Sequence, residues 1–264
     1  MAFTDLSSVL ARKPLGLVFD IDGTLSPIAP TPQAAYLYPG VAAMLESLRQ
    51  HAHVAIMTGR GLRDGARIVN VDNVTYIGTH GLEWSDGLPA THEVQIVPEA
   101  MCYVQPGQQL LDLVQQHLES LPGVIVQRKT VGGTLHYRGS STPEQTREHL
   151  LALLEEPTRQ LGMRLGEGKM VVEVLAPLGI NKGQALRKYV QRFSLQGLIF
   201  AGDDRTDLDA VLEAERLRKE GCATLSIVVQ HSDTLPELLA HADVIVDGVE
   251  GMARLMREIV QKLQ

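Results

Sequence analysis

Along the chain, short apolar runs rich in Val and Ile alternate with longer stretches in which apolar residues recur every three or four positions. The short runs are GLVF (16–19), VAIM (54–57), LIFA (198–201), TLSIVV (224–229) and DVIV (243–246). A run that is apolar at consecutive positions suits a strand covered on both faces, as in a parallel sheet. PGVAAMLESLRQ (39–50) opens with Pro and Gly and sets Val41, Leu45 and Leu48 on one side, which predicts a helix. KGQALRKYVQRF (182–193) and TDLDAVLEAERLRKEG (206–221) follow the same logic. Strand alternating with helix predicts βαβ units and an α/β fold with a doubly wound parallel-sheet (Rossmann-like) core.

The middle of the chain breaks this rhythm. A helical stretch, PGQQLLDLVQQHLESL (106–121), leads into GVIVQRKTVGGTLHYRG, which reads as two strands joined by a tight turn at Gly132–Gly133. A second helical stretch (142–161) precedes MRLGEGKMVVEVL, two short strands with Gly166 and Gly168 at the bend. Helix, hairpin, helix, hairpin makes an α+β unit with an antiparallel sheet. It interrupts the parallel pattern, so an inserted smaller cap domain is expected over 100–177, with 1–99 and 178–264 forming the core. VGGTL is glycine-rich but precedes no helix, so it reads as a turn and not as a phosphate loop.

Composition then narrows the function classes. The 264 residues, 44% hydrophobic and 21% charged, suffice for one large domain or two modest ones of a globular protein. A net charge of −7 leaves no basic footprint, so nucleic acid is not an expected partner. No apolar run approaches the length of a bilayer span, and no membrane partner is expected either. The start, MAFTDLSSVLARKP, carries acid early and lacks a long apolar region, so it does not read as a secretion signal. Cys102 and Cys222 read as free thiols of a reducing compartment. These features lead to the expectation of a cytoplasmic monomer acting on a small molecule.

Ligands of a doubly wound sheet sit beyond the carboxyl ends of its strands. Four polar groupings directly follow apolar runs: Asp20-Ile-Asp22-Gly-Thr24, Thr58-Gly-Arg60, Gly78-Thr-His80-Gly81 and Gly202-Asp203-Asp204-Arg-Thr-Asp207. One such grouping is often a mere turn, but four at one rim are hard to assign to turns. Side chains two apart on extended backbone point the same way, so Asp20 and Asp22 are expected to face one pocket and Ile21 the core. So many carboxylates together call for a hard cation with oxygen ligands, and Mg2+ is the default where a phosphate is the other partner. Thr58 offers a hydroxyl, and Lys182 a point charge suited to phosphate oxygens. An exposed lysine at a helix start is an ordinary alternative for Lys182, but the helix dipole disfavours it there, which hints at an anionic neighbour.

D-x-D-G-T, a Thr after the second strand, a Lys at a helix start and G-D-D-x-x-D, in that order, resemble the haloacid dehalogenase superfamily. HGLE (80–83), K-x6-HYR from Lys129 to Arg138, and GKMVVEV followed by NKG are similar to the trehalose-6-phosphate phosphatase family. The resemblance implies a Mg2+-dependent phosphatase for a small sugar phosphate. Asp20 would be the nucleophile, Asp22 the general acid and base, and Thr58 and Lys182 partners of the phosphoryl oxygens. The implied metal ligands are Asp20, the Asp22 carbonyl and Asp203, with Asp204 and Asp207 as further partners. The implied sugar contacts are Arg60, His80, Glu83, Lys129, His136, Arg138 and Glu173.

Three features depart from the family pattern: Gln127 where Glu is frequent, Leu208 where Glu is usual, and one extra residue in VEVLAPLGINKG. They touch sugar contact and leave the chemical groups intact. Read without the resemblance, His136 and Arg138 are equally a solvated face of a sheet. Trp84, the only tryptophan, reads as packing near the start of the insert. Two other functions remain open: a phosphatase for another sugar phosphate, such as sucrose phosphate or glucosyl- or mannosylglycerate phosphate, and a non-catalytic sugar-phosphate-binding module.

Overall fold

The structure, a computed structural model, describes residues 5–264. The first four residues, part of the start read above for a secretion signal, lie outside the described residues. The chain forms two compact units, Met1–Gln95 with Ile180–Gln264, and Ile96–Gly179. The insert expected over 100–177 falls within the second.

In chain order the first unit begins with α1 (Leu6–Leu10), β1 (Leu15–Phe19), α2 (Val41–Leu48), β2 (His53–Met57), α3 (Leu62–Val69), β3 (Thr75–Gly78) and β4 (Glu83–Ser85); the two-residue β5 (Gln95–Ile96) contributes the last residue of the first unit and the first residue of the second. The second unit follows with α4 (Val104–Gln116), β6 (Ile125–Arg128), β7 (Gly133–His136), α5 (Pro143–Gln160), β8 (Arg164–Gly168) and β9 (Val171–Leu175). The first unit is completed by α6 (Lys182–Arg192), β10 (Gly197–Gly202), α7 (Asp207–Lys219), β11 (Ala223–Gln230), α8 (Pro236–Ala240), β12 (Val244–Asp247) and α9 (Gly248–Leu263).

The large sheet has the order β12-β11-β10-β1-β2-β3-β4-β5. From β12 to β3 neighbouring strands are parallel, which is the expected doubly wound arrangement. β4 is different: it runs antiparallel to β3, pairing Ile77 with Trp84 and Gly78 with Glu83. The sheet is therefore mixed, because the chain turns straight back at Thr79–Gly81 without a crossover helix.

β1 shows how burial dictates the strand. Leu15, Leu17, Phe19 and Ile21, at period two, line one face and join Val41, Leu45 and Leu48 of α2 and Met252, Met256 and Ile259 of α9 in one core. Val18 points the other way and is buried as well, so both faces are covered. Register sets the rim: Phe19 pairs with Ala201 and Ile56, and Met57 with Ile77. β1, β2, β3 and β10 therefore end at one level, and the chain crosses from one side of β1 to the other there, a topological switch point.

The second unit has its own core, in which Leu110, Leu111 and Val114 of α4 and Leu150 and Leu154 of α5 pack on Leu135, Val172 and Val174. Its antiparallel sheet has the order β6-β7-β9-β8. The first turn is closed by Lys129 N–H donating to Gly132 O at 3.1 Å, so Gly133 belongs to the strand. Gly132 has φ +73, and a Cβ there would stand 2.0 Å from Val174 O, which excludes any other residue. The second turn is not at Gly166 and Gly168, which both lie in β8; it is made by Lys169 and Met170, the latter at φ +62.

Candidate active site

Asp20 directly follows β1, and its N–H donates to Ala201 O at 2.9 Å, so the sheet ladder itself aims it at the rim. Lys182 opens α6, behind the cap in which Asn181 Oδ1 accepts from Gln184 N. Its side chain is 2% exposed, and the ammonium donates to Asp20 Oδ1 at 2.8 Å and to Asp207 Oδ1 at 2.6 Å. The anionic neighbour that its unfavourable position implied is thus two carboxylates. Asp207, at the start of α7, also accepts from the N–H groups of Asp203 and Asp204 through Oδ2, at 3.0 and 3.1 Å. One carboxylate thereby shapes the whole acidic loop.

Asp20, Asp203 and Asp207 are buried, each offering an oxygen within 4.8 Å of the others. The arrangement is electrostatically unfavourable without a cation. Burial, with the like charges of Asp203, Asp204 and Asp22 overcoming the attraction of Lys182, pushes Asp20 up to about 7. Burial and then Asp207 and Asp204 push Asp203 well above the usual carboxylate range. Asp207 is raised too, by burial ahead of the opposing attraction of Lys182. For Lys182, burial opposes the charge, but Asp20 and Asp207 outweigh it and raise the ammonium well above its ordinary value. All-oxygen donors of this charge fit a hard divalent cation such as Mg2+.

The other two acids named from the sequence stand apart from this group. Asp204 Oδ1 accepts from Thr206 N and Oγ1 at 2.8 and 2.7 Å and from Asp207 N at 3.2 Å, capping α7. Against burial, the Lys182 charge and these bonds hold Asp204 low. Asp22 takes a two-pronged pair from Arg60, Nε at 2.6 Å and Nη2 at 2.8 Å. The two aspartates of the D-x-D motif therefore answer to different cations, while Ile21 between them is buried in the core as expected. Gly23 follows at φ +80, and a Cβ there would lie 2.1 Å from Asp203 Oδ2, so this position admits only glycine.

Thr58 directly follows β2; its Oγ1 accepts from Arg60 N at 3.2 Å. Arg60 also donates to Asp64 Oδ2 at 2.6 Å and Pro32 O at 3.0 Å. Thr79 N donates to Arg60 O and His80 N to Thr58 O, tying the two rim loops together. Thr79 and His80 both adopt positive φ to do so, +49 and +55. Glu83 was expected to touch sugar, but it is 1% exposed, and its carboxylate accepts from Leu62 N and Thr79 Oγ1, each at 2.7 Å. It holds the first turn of α3 and the strained loop in place, which makes it part of the wall. Trp84 is buried as packing, its Nε1 donating to Gly81 O at 2.8 Å.

In the second unit, Lys129 Nζ and Thr134 Oγ1 both meet Glu173 Oε1 at 3.3 Å. His136 Nε2 lies 2.8 Å from Gln127 Oε1. Register puts Thr134 opposite both Gln127 and Glu173, so these polar groups share the face opposite the apolar core. Arg138 lies beyond the end of β7 and is exposed.

One rim residue escaped the sequence reading. His231, directly after β11, places Nε2 2.7 Å from Gly23 O and 3.9 Å from Asp203 Oδ2. The signal that found the other groupings, a polar residue directly after an apolar run, applies to it equally. No helix among the described residues is long and apolar enough to cross a membrane, and both thiols are free, Cys102 exposed and Cys222 half-buried.

The chain is 32% identical over 234 residues to a trehalose-phosphate phosphatase of Mycobacterium leprae, an alignment covering 84% of this chain and 52% of that protein. It is 30% identical over 230 residues to the trehalose-phosphate phosphatase of Mycobacterium bovis, covering 85% and 56%. The chain thus spans about half the length of these curated relatives. Its fold matches a solved trehalose-6-phosphate phosphatase related protein with a TM-score of 0.76 at 24% identity, over 93% of this chain and 97% of the other. The family model for trehalose-phosphatase matches residues 18–237, from the end of β1 into α8, and the chain belongs to that family.

Proposed function

We propose that the chain is a Mg2+-dependent phosphatase that hydrolyses trehalose 6-phosphate to trehalose and phosphate. The observation that carries this reading is the buried Asp20, held by Lys182 beside Asp203 and Asp207. These three carboxylates would hold the cation, which when bound supplies positive charge next to the phosphoryl oxygens. The Asp20 carboxylate attacks phosphorus, the bond to the sugar oxygen breaks, and an aspartyl-phosphate forms. The alkoxide is a poor leaving group, so Asp22 gives it a proton, then takes one from the water that cleaves the aspartyl-phosphate. In this structure both Asp22 oxygens accept from Arg60; a substrate that draws the Arg60 guanidinium to itself would open that pair. Lys182 and Thr58 complete the set around the transferring group.

Residues 100–177 act in this reading as the cap that reads the sugar, through Lys129, His136, Arg138 and Glu173. Arg60 and His80 contribute from the first unit. The whole is a cytoplasmic monomer, in keeping with its two free thiols. The test is phosphate release from a panel of sugar phosphates, with and without Mg2+. Trehalose 6-phosphate should lead, and only with the metal. Preference for sucrose phosphate or a glycosylglycerate phosphate would reassign the sugar, and no release from any would leave a binding module.

A further inference from the structure

The loop that carries Asp20 and Asp22 leaves the sheet at once and is only five residues long before Leu25. Its internal bonds run within itself: Gly23 N to Ser26 O at 2.8 Å, and Leu25 N and Ser26 N to Ile21 O at 2.9 and 2.8 Å. Such bonds fix its shape but not its place above the acidic loop of β10. Beyond the Asp20 N–H bond to Ala201 O, one contact reaches that loop and another reaches the loop after β11. Thr24 Oγ1 donates to Asp203 Oδ1 at 3.1 Å, and His231 Nε2 stands 2.7 Å from Gly23 O.

The second contact settles a tautomer. A carbonyl oxygen only accepts, so the ring nitrogen facing it carries the proton and donates. His231 is itself held by its backbone, where its N–H donates to Thr234 Oγ1 at 2.8 Å directly after the buried strand β11. A rigid strand end thus presents a donor to the peptide between the two motif aspartates and Thr24. No residue of β11 or of its following loop belongs to the four polar groupings read from the sequence.

We propose that His231 is a positioning residue: its Nε2–H clamps the Gly23 carbonyl and keeps the Asp20–Thr24 loop seated against Asp203. The kinetic part of this proposal rests on the phosphatase reading; the structural part does not. Asp20 must point at phosphorus and Asp22 at the leaving oxygen simultaneously, and small displacements of reacting groups reduce turnover steeply. Substrate binding draws on other residues, so the clamp acts on kcat and not on KM.

Three proteins test it: wild type, His231→Phe, which keeps a planar ring without a donor, and His231→Gln. Glutamine places an amide N–H as many bonds from Cα as Nε2 is. The expected result is that His231→Phe loses about tenfold in kcat on trehalose 6-phosphate with KM nearly unchanged. His231→Gln recovers most of the loss. Hydrogen exchange on the metal-free proteins should show residues 22–26 opening faster in His231→Phe and returning toward wild type in His231→Gln. Unchanged kcat and unchanged exchange in His231→Phe overturn the proposal. So does a His231→Gln protein as impaired as His231→Phe, which would assign the effect to the ring or its charge. If wild type releases no phosphate from any sugar phosphate, the phosphatase reading fails, and the exchange comparison alone still decides the clamp.

Discussion

Each unit buries a lysine beside a glutamate or aspartate, but the two pairs are built differently. Lys182 touches Asp20 and Asp207 at 2.8 and 2.6 Å, and all three side chains are almost fully enclosed. Lys129 is nearly as enclosed, yet its partner Glu173 stands 3.3 Å away with 24% of its side chain exposed. The first arrangement displaces protonation: Asp20, Asp203, Asp207 and Lys182 are all shifted upward. In the second, the neighbouring groups are a hydroxyl (Thr134), an imidazole and an amide (His136 and Gln127). Enclosed, mutually compensating charge suits bond-making on phosphorus, where desolvation strengthens each electrostatic term. A half-open carboxylate beside one lysine and several further hydrogen-bonding groups suits hydroxyl recognition, where discrimination comes from leaving such groups unpaired with the wrong ligand.

The comparison breaks most visibly at Asp20. Asp20→Asn should remove turnover by at least about 10^4-fold, since the isosteric amide is no nucleophile and the buried groups act as a unit. Single-turnover phosphate release by purified protein measures it, and substantial residual release would remove the covalent route. Next comes Lys182→Met, which strands Asp20 and Asp207 in the interior without their cation. Breaking a buried pair from one side costs about 3–5 kcal/mol, read as a lower urea midpoint in metal-free protein, and Mg2+ should restore part of it. The equivalent change in the second unit, Lys129→Met, should cost much less stability, because Glu173 keeps contact with solvent. Equal losses from the two would erase the distinction between the units.

Much of this was legible in the residues, and the exceptions share a cause. The apolar runs led to β1, β2, β10, β11 and β12, and the groupings after them led to the rim, because burial on both faces leaves an unbroken apolar signature. β4 left no such signature: it opens with Glu83, whose carboxylate is buried against a backbone N–H and a hydroxyl. A pattern reading takes charge as exposure and cannot see backbone donors. The β8–β9 turn was misplaced for a related reason. Gly166 and Gly168 look like turn residues, but Met170 takes the left-handed conformation and the glycines extend the strand. His231 sits in a polar stretch, QHSDT, that follows an apolar run like the others, but its partner, the Gly23 carbonyl, belongs to the backbone, so nothing in the residue types marked what it meets. The ion pairs sorting Asp22 from Asp20 and Asp204 from Asp203 and Asp207 were beyond the pattern too, since spacing along the chain does not say which cation each carboxylate meets.

Glu173→Ala sharpens the recognition side of the comparison. Removing a charged acceptor should cost trehalose 6-phosphate turnover about 1–3 kcal/mol in kcat/KM. Hydrolysis of p-nitrophenyl phosphate, which has no sugar hydroxyls, should stay nearly unchanged. The two kcat/KM ratios on one variant decide the matter. Joint losses mean that Glu173 supports the sheet, and no loss on either means that the sugar is read elsewhere.

The smallest effect, about 1 kcal/mol per pH unit, tests the core cluster through protons alone. Asp20 is raised from an ordinary carboxylate value to about 7, by burial first and by its acidic neighbours after Lys182 has opposed them. A group raised on folding stabilises the fold fully at pH values below its unfolded pKa, and that contribution is lost as pH rises through the folded value. Metal-free protein should therefore lose stability between about pH 4 and pH 7. Asp64 and Asp72 are lowered, so their transitions lie below this window. His53 runs the other way: burial lowers it, and its contribution grows as pH rises through the imidazole range. Taking the difference between thermal midpoints with and without Mg2+ cancels His53, which lies at the start of β2, at the opposite end of that strand from the acids. Bound metal requires the carboxylates deprotonated and releases the protons they held. The stabilisation by Mg2+ should thus be small near pH 5, grow through pH 7 and level off above it. Stabilisation that is independent of pH would mean that the cation binds somewhere other than among Asp20, Asp203 and Asp207. The same titration on the Asp20→Asn protein should lose part of its slope, because the amide removes one of the protons that the metal displaces while Asp203 and Asp207, raised as well, keep theirs.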